Sequence, residues 1–231
     1  QESRERIYAV FRGMQLMNFW LYSCAAIMLY AVIEPFIRAW IGDAYVMEAA
    51  VPALLLLLFF ERGMRNAVAT VKTTAGIFRE DRYAPLLQAA VTLGGAVALA
   101  GPLGISGVFL GSLIGALAIP FWLTPYWVYR KVFKLPLRRY FAVYARYVVA
   151  GGAACAAVLL VCRALPADGW TAVVARLAAA LAVPNLLYWA LFRRLEEFAV
   201  LAGAARRIAE MLFGRLRTGT GRAGSGAKQT Q

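Results

Sequence analysis

The stretch LLLLLFFERGMRNAVATVKTTAGIFREDRY, Leu54 to Tyr83, decides how the chain is read. Seven strongly apolar residues run into Glu61, Arg62, Arg65 and Lys72 with no turn signal between them. A helix entering near Ala49 or Pro52 and rising 1.5 Å per residue carries Arg62 about 15 Å along its axis and Arg65 about 20 Å, with Lys72 near the far end. At 100° per residue, Arg62, Arg65, Asn66, Ala69, Lys72 and Thr73 fall within an arc of about 120°. Gly63, Met64, Ala67, Val68 and Val71 occupy the opposite side.

A charge at the centre of a bilayer costs at least about 2.5–3.5 kcal/mol, so such residues normally face a bundle interior or a water-filled cavity. The stripe is therefore expected to line a cavity. The competing reading ends the span at Phe60 and leaves the rest in the cytoplasm, with Glu61 partly neutralising Arg62. Against it, the 12 residues from Ala49 to Phe60 are too few to cross about 30 Å of hydrocarbon unaided.

Composition makes the surrounding protein a membrane protein. Hydrophobic residues form 62% of the 231, and the mean hydropathy of +0.64 lies above the range of soluble domains. The 25 Lys and Arg against 12 Asp and Glu would suggest nucleic acid in a soluble chain. Here they cluster between apolar runs, where membrane topology accounts for them and no nucleic-acid partner is expected. No signal peptide is visible, and the chain, opening on Gln1, reads as a fragment lacking an N-terminal part. Cys24, Cys155 and Cys162 lie in apolar runs as small buried residues, and with no His the usual zinc motifs are missing. Neither a metal nor a cofactor is expected.

An all-α bundle of six transmembrane helices is predicted, at about Leu16–Ile37, from Ala49 into the charged stretch, Tyr83–Ala100, Ile105–Tyr129, Phe141–Cys162 and Trp170–Phe192. Residues 1–14 form a cytoplasmic lead-in, 15–129 four helices, 130–140 a basic link and 141–192 a terminal pair. An amphipathic helix over 193–217 and a polar, disordered tail over 218–231 follow. Basic residues gather in alternate connections: Arg4, Arg6 and Arg12; Lys72, Arg79 and Arg82; Arg130 to Arg139; Arg193 and Arg194. By the positive-inside rule these connections and both chain ends are expected to face the cytoplasm. Trp40, Tyr45 and Trp170 would mark the outer aromatic belt, and Trp127, Tyr129 and Tyr140 the inner one. Gly107, Gly111 and Gly115, spaced by four, are expected to allow close helix packing.

Among the remaining charges, Glu34 and Arg38 are spaced to pair. Asp43 and Glu48 sit in a solvated loop where a coupling cation could bind. Glu80 and Asp81 are expected to pair locally with Arg79 and Arg82. Arg146 and Arg176 are expected to snorkel towards an interface.

NFW (Asn18 to Trp20), PFIRAWIGDAYV (Pro35 to Val46), RGMRN (Arg62 to Asn66), AGIFREDRYAPLLQA (Ala75 to Ala89), GISGVFLGSLIG (Gly104 to Gly115) and WLTPYWVYRKVFK (Trp122 to Lys134) together resemble the bacterial polysaccharide flippases of the multidrug/oligosaccharidyl-lipid/polysaccharide exporter superfamily. The resemblance covers about residues 5 to 145. It implies the last four helices of the second lobe, and the final pair, of a fourteen-helix two-lobe transporter. It also implies transfer of undecaprenyl-pyrophosphate-linked oligosaccharide between leaflets, with membrane lipids, the lipid-linked sugar and the missing N-terminal part as partners.

Arginine matches phosphate oxygens with a planar fork of donors, and lysine adds a mobile point charge. Arg62, Arg65 and Lys72 are thus expected to bind the pyrophosphate, Asn66 and Thr73 the sugar hydroxyls, and Arg79 and Arg82 the headgroup at the cavity mouth. A lipid II flippase fits the same stripe. A membrane enzyme acting on polyprenyl-linked sugars is disfavoured, because a positioned acid, base or metal-binding carboxylate pair is lacking.

Overall fold

The computed structural model describes residues 2–166, 169–195, 198 and 203. Among these, every regular element is helical: α1 (Glu2–Trp40), a short 3-10 turn (Asp43–Tyr45), α2 (Ala50–Thr74), α3 (Ala84–Ala118), α4 (Pro120–Val128), a π-helical turn (Tyr129–Phe133), α5 (Arg138–Arg163) and α6 (Gly169–Phe192). The amphipathic helix and the tail expected beyond residue 192 lie outside the described residues, apart from 193–195, 198 and 203.

Among the described residues, four stretches are long and apolar enough to cross a membrane: Arg4–Trp40, Ala84–Phe133, Arg138–Arg163 and Gly169–Phe192. The expected six differ from these four in two places. The C-terminal half of α2 carries the charges that remove it from an apolar count. The stretch 84–133 counts once, although its chain reverses at Gly104.

That reversal is built on glycine. Gly104 adopts φ 57° and ψ −137°, a left-handed conformation that glycine enters without the Cβ penalty of other residues. The two arms of α3 then lie antiparallel at contact distance. A Cβ on Gly107 would sit 2.0 Å from the Leu99 carbonyl oxygen, one on Gly111 2.3 Å from the Ala96 nitrogen, and one on Gly115 2.1 Å from Thr92 Oγ1. The four-residue glycine spacing is therefore a packing face, as expected, and its partner is the preceding arm of the same helix.

α1 is the centre of the bundle, touching α2, α5 and α6, while α3 and α4 lie against α2. The core around α1 is aromatic. Phe19 stacks on Tyr147 at 4.7 Å and 10° between planes, and meets Tyr188 at 4.8 Å and Phe192 at 5.7 Å. Trp20 Nε1 donates to Asn185 Oδ1 at 2.7 Å, tying α1 to α6. A second cluster closes the basic end of the bundle, where Phe11 packs with Tyr129 and Phe133.

This cluster corrects two expectations. Tyr129 and Tyr140 are each 1% exposed, so they are core rings and not interfacial ones. Residues 2–14 are no separate lead-in either, because α1 is continuous from Glu2 and buries Phe11 against the π-helical turn. At the opposite end Trp40, Tyr45 and Trp170 are exposed, where a belt would place them.

Candidate functional site: a cationic cleft beside α2

α2 runs as one unbroken helix through the charged stretch to Thr74, so no change of secondary structure marks Phe60. Its two faces separate as the 3.6-residue period requires: Gly63, Met64, Ala67 and Val68 are buried, whereas Arg62 and Asn66 are exposed. Gly63 fixes which side packs, since a Cβ there would meet the Tyr22 ring of α1 at 2.0 Å.

The helix ends in a Schellman motif. Gly76, at φ 67°, donates its N–H to the Thr73 carbonyl, and Ile77 donates to the Lys72 carbonyl, both at 3.1 Å. The chain reverses there and brings Asp81 back onto Lys72. The start of α3, with Pro120 and Thr124 of α4, completes the wall.

The result is a cleft of about 270 Å³ lined by Arg62, Arg65, Asn66, Ala69, Lys72, Asp81, Ala84, Pro85, Gln88, Pro120 and Thr124. Four of the seven residues expected to bind the substrate line it: Arg62, Arg65, Asn66 and Lys72. Three do not. Thr73 turns its hydroxyl back to the Ala69 carbonyl at 3.0 Å. Arg79 and Arg82 are exposed on the link after α2, and the Arg82 guanidinium lies over the Tyr83 ring at 4.6 Å.

The three cations of the cleft are not equivalent. Arg65 Nε lies 3.4 Å from Glu61 Oε1, a carboxylate whose side chain is 5% exposed. Glu61 was expected to offset Arg62 in part; the i,i+4 geometry gives its close pair to Arg65, while Arg62 stays near enough for its charge to act on the carboxylate. Lys72 is ion-paired with Asp81, which is buried. Arg62 has no carboxylate within ion-pairing distance among the described residues, and it opens into the cleft with its donors uncommitted.

The acidic pair in the link also divides differently from expectation. Asp81 goes to Lys72 and Glu80 to Lys131, while Arg79 and Arg82 form neither bond. The hydrogen bond from Lys131, followed by one from its own backbone, holds the Glu80 carboxyl below its usual range. Outside the cleft, Glu34 and Arg38 pair at 2.8 Å as expected, Asp43 reaches Arg38 at 3.5 Å, and Glu48 accepts a bond from Ser106 Oγ at 3.4 Å.

Asp81, Gln88 and Thr124 were not singled out as site residues from sequence. Gln88 carried a weak signal as a lone polar residue at the start of an apolar span. Thr124 had none beyond its place between Pro120 and Pro125. Chemically, the cleft offers one uncommitted guanidinium, two cations held by internal carboxylates, and amide and hydroxyl groups able to bond a polar ligand. That is an oxyanion-binding arrangement. Compared with known protein families, curated proteins and solved structures, the chain gives no match.

Proposed function

We propose that the chain is the phosphate-binding part of a membrane flippase that moves polyprenyl-pyrophosphate-linked oligosaccharides between leaflets. The observation that carries this reading is the convergence of Arg62, Arg65 and Lys72 on one cleft, with Arg62 left free to take a ligand. In this reading all six helical passes cross the bilayer: α1, α2, the two arms of α3 (the second continued by α4), α5 and α6. The basic connections then lie on the cytoplasmic side of a bacterial plasma membrane.

A pyrophosphate entering the cleft meets Arg62 first and then competes with Glu61 and Asp81 for the other two cations. The cleft accommodates the charged headgroup, and its open side leaves room for the sugar chain. A second lobe facing that open side would complete the cavity and supply alternating access. The lipid tail stays in hydrocarbon throughout. A lipid II substrate presents the same pyrophosphate, and the cleft does not separate the two.

Geranyl pyrophosphate binding to the purified chain, measured by calorimetry, tests the headgroup site. A hydrogen bond to a charged group contributes about 1.5–3 kcal/mol, so Arg62→Gln is expected to weaken binding by about ten- to a hundredfold. In cells making the whole protein, Arg62→Ala and Arg65→Ala should abolish surface polysaccharide at an unchanged level of membrane-inserted protein. Wild-type polysaccharide in both variants would remove the stripe from the transport path.

A further inference from the structure

The face of α2 turned away from the cleft borders a different kind of cavity. Between α1, α2 and α5 runs an almost wholly apolar groove of about 310 Å³, walled by Ile27, Leu56, Leu57, Phe60, Val148 and Cys155. It follows α1 from Ser23 to Tyr30, about 10 Å along the axis at 1.5 Å per residue. At the end of the bundle remote from the cleft it meets a second, more enclosed pocket of about 180 Å³. Tyr30 lines both, and the neighbours Ala53 and Pro52 line one each.

This second pocket is polar on one side. Arg176 of α6 reaches into it, with Nε buried and without a hydrogen-bond partner. Its guanidinium lies towards the end of the spans, where an interface-seeking arginine is expected, with Nε turned into the packing of α6 on α1 and α5. Glu34 also lines the pocket, and its carboxylate is already held by Arg38 at 2.8 Å. The arginine is thus left without a counter-ion among the described residues, and a partly buried charge without one is costly.

We propose that the pocket and groove together are a binding site for one anionic glycerophospholipid of the surrounding membrane. Its phosphate diester sits on Arg176 and one acyl chain lies along the groove. Charge complementarity selects the headgroup: a guanidinium lacking its partner takes the phosphate oxygens. The continuous passage at Tyr30 from a cationic pocket into an apolar groove matches an amphiphile with its charge at one end. The pocket's position beside the 46–49 link, at the end of the spans, puts the phosphate at headgroup depth. The acyl chain then fills the seam between α1, α2 and α5. The site shares no residue with the cleft, and its assignment does not rest on the flippase reading.

Native mass spectrometry of the full chain tests this, with 1-palmitoyl-2-oleoyl phosphatidylglycerol and phosphatidylcholine of the same chains as probes. The expected result is one retained phosphatidylglycerol per chain, preferred at least about fivefold over phosphatidylcholine. Arg176→Gln should lower retention about tenfold, and Ala53→Trp, which fills the groove, should do the same. Arg163→Gln, which removes a nearby exposed charge, should leave it unchanged. Arg176→Lys keeps the charge without the planar fork and should lose less than Arg176→Gln, which also covers the case in which the Gln variant does not fold. Equal retention of the two lipids, wild-type retention after either Ala53→Trp or both Arg176 changes, or preferential uptake of undecaprenyl phosphate over phosphatidylglycerol would overturn the assignment.

Discussion

The helix pairs of this bundle are held in two opposite ways. The two arms of α3 touch through backbone at Gly107 and Gly111, and at Gly115 the missing side chain makes room for Thr92. Around α1 the contact is made by large rings, with Phe19 enclosed by Tyr147, Tyr188 and Phe192. In hydrocarbon neither contact gains from the hydrophobic effect, because lipid is as apolar as the helix surface. Both rest on dispersion and shape, and they differ in what they can absorb. A ring can shift its rotamer or leave a void, whereas a backbone in contact with a backbone has nowhere to move.

Gly111→Ala should therefore produce the largest effect. The added methyl would meet the Ala96 nitrogen at 2.3 Å and the Gly95 carbonyl carbon at 2.6 Å. Overpacking a core typically costs about 1–3 kcal/mol when side chains can yield. Here backbone must move, and the expected loss exceeds about 3 kcal/mol, enough to open the hairpin. The measurement is the mid-point of thermal or denaturant unfolding in detergent. A wild-type mid-point would mean that the arms are not in contact at this position.

Phe19→Ala comes next. A Phe→Ala change in a soluble core costs about 3–5 kcal/mol, but part of that is transfer from water. With that part absent in a bilayer, the cavity and the lost ring contacts leave roughly 2–3 kcal/mol. Phe19→Leu should recover part of it, whereas no larger residue should rescue Gly111. A loss at Phe19 equal to that at Gly111 would erase the distinction between the two contacts.

Gly94→Ala sharpens the contrast within a single helix. A Cβ at Gly94 meets nothing within 4 Å, although its neighbour Gly95 would have one 3.1 Å from Gly111 Cα. Glycine is less favourable than alanine by about 0.8–1.0 kcal/mol in a helix interior, so this substitution should stabilise by about that amount. Two glycines of α3 would then respond with opposite signs. Destabilisation by Gly94→Ala would show that something covers the open side of the hairpin.

Much of this arrangement was legible before any coordinates. A break between the third and fourth apolar spans, the glycine spacing and the division of α2 into charged and apolar faces all follow from local patterning, although the chain turns at Gly104 itself, and α2 keeps both faces where its period puts them. The partners of those faces were not legible, because contact across the bundle has no local signature. The Lys72–Asp81 pair depends on the left-handed turn at Gly76, which lies outside the helical period on both sides. Gln88 reaches the cleft because the first arm of α3 packs on α2, and Thr124 because the hairpin returns α4 to α2. Arg176 is legible only in part: its distance from Trp170 is visible in sequence, but which neighbours α6 turns it towards is not.

The smallest expected effect lies in the link, where Glu80 and Lys131 join the turn after α2 to the π-helical turn. Its bond to Lys131 lowers the Glu80 pKa in the folded protein. A carboxyl depressed in this way stabilises the fold at pH above its unfolded value of about 4.3, and that stability is lost as pH falls through the lower folded value. The pair is accessible to solvent, with Lys131 43% exposed, so screening should leave the contribution small and salt-sensitive. Glu80→Gln should therefore shift the unfolding mid-point only slightly at pH 7 and flatten its dependence on pH below about 5. An unchanged acid limb in Glu80→Gln would place the titration elsewhere and leave the link held by the Lys72–Asp81 pair. A shift as large as that of Phe19→Ala would instead mean that this exposed pair fixes the hairpin to the rest of the bundle, and that the glycine contact alone does not hold α3 in place.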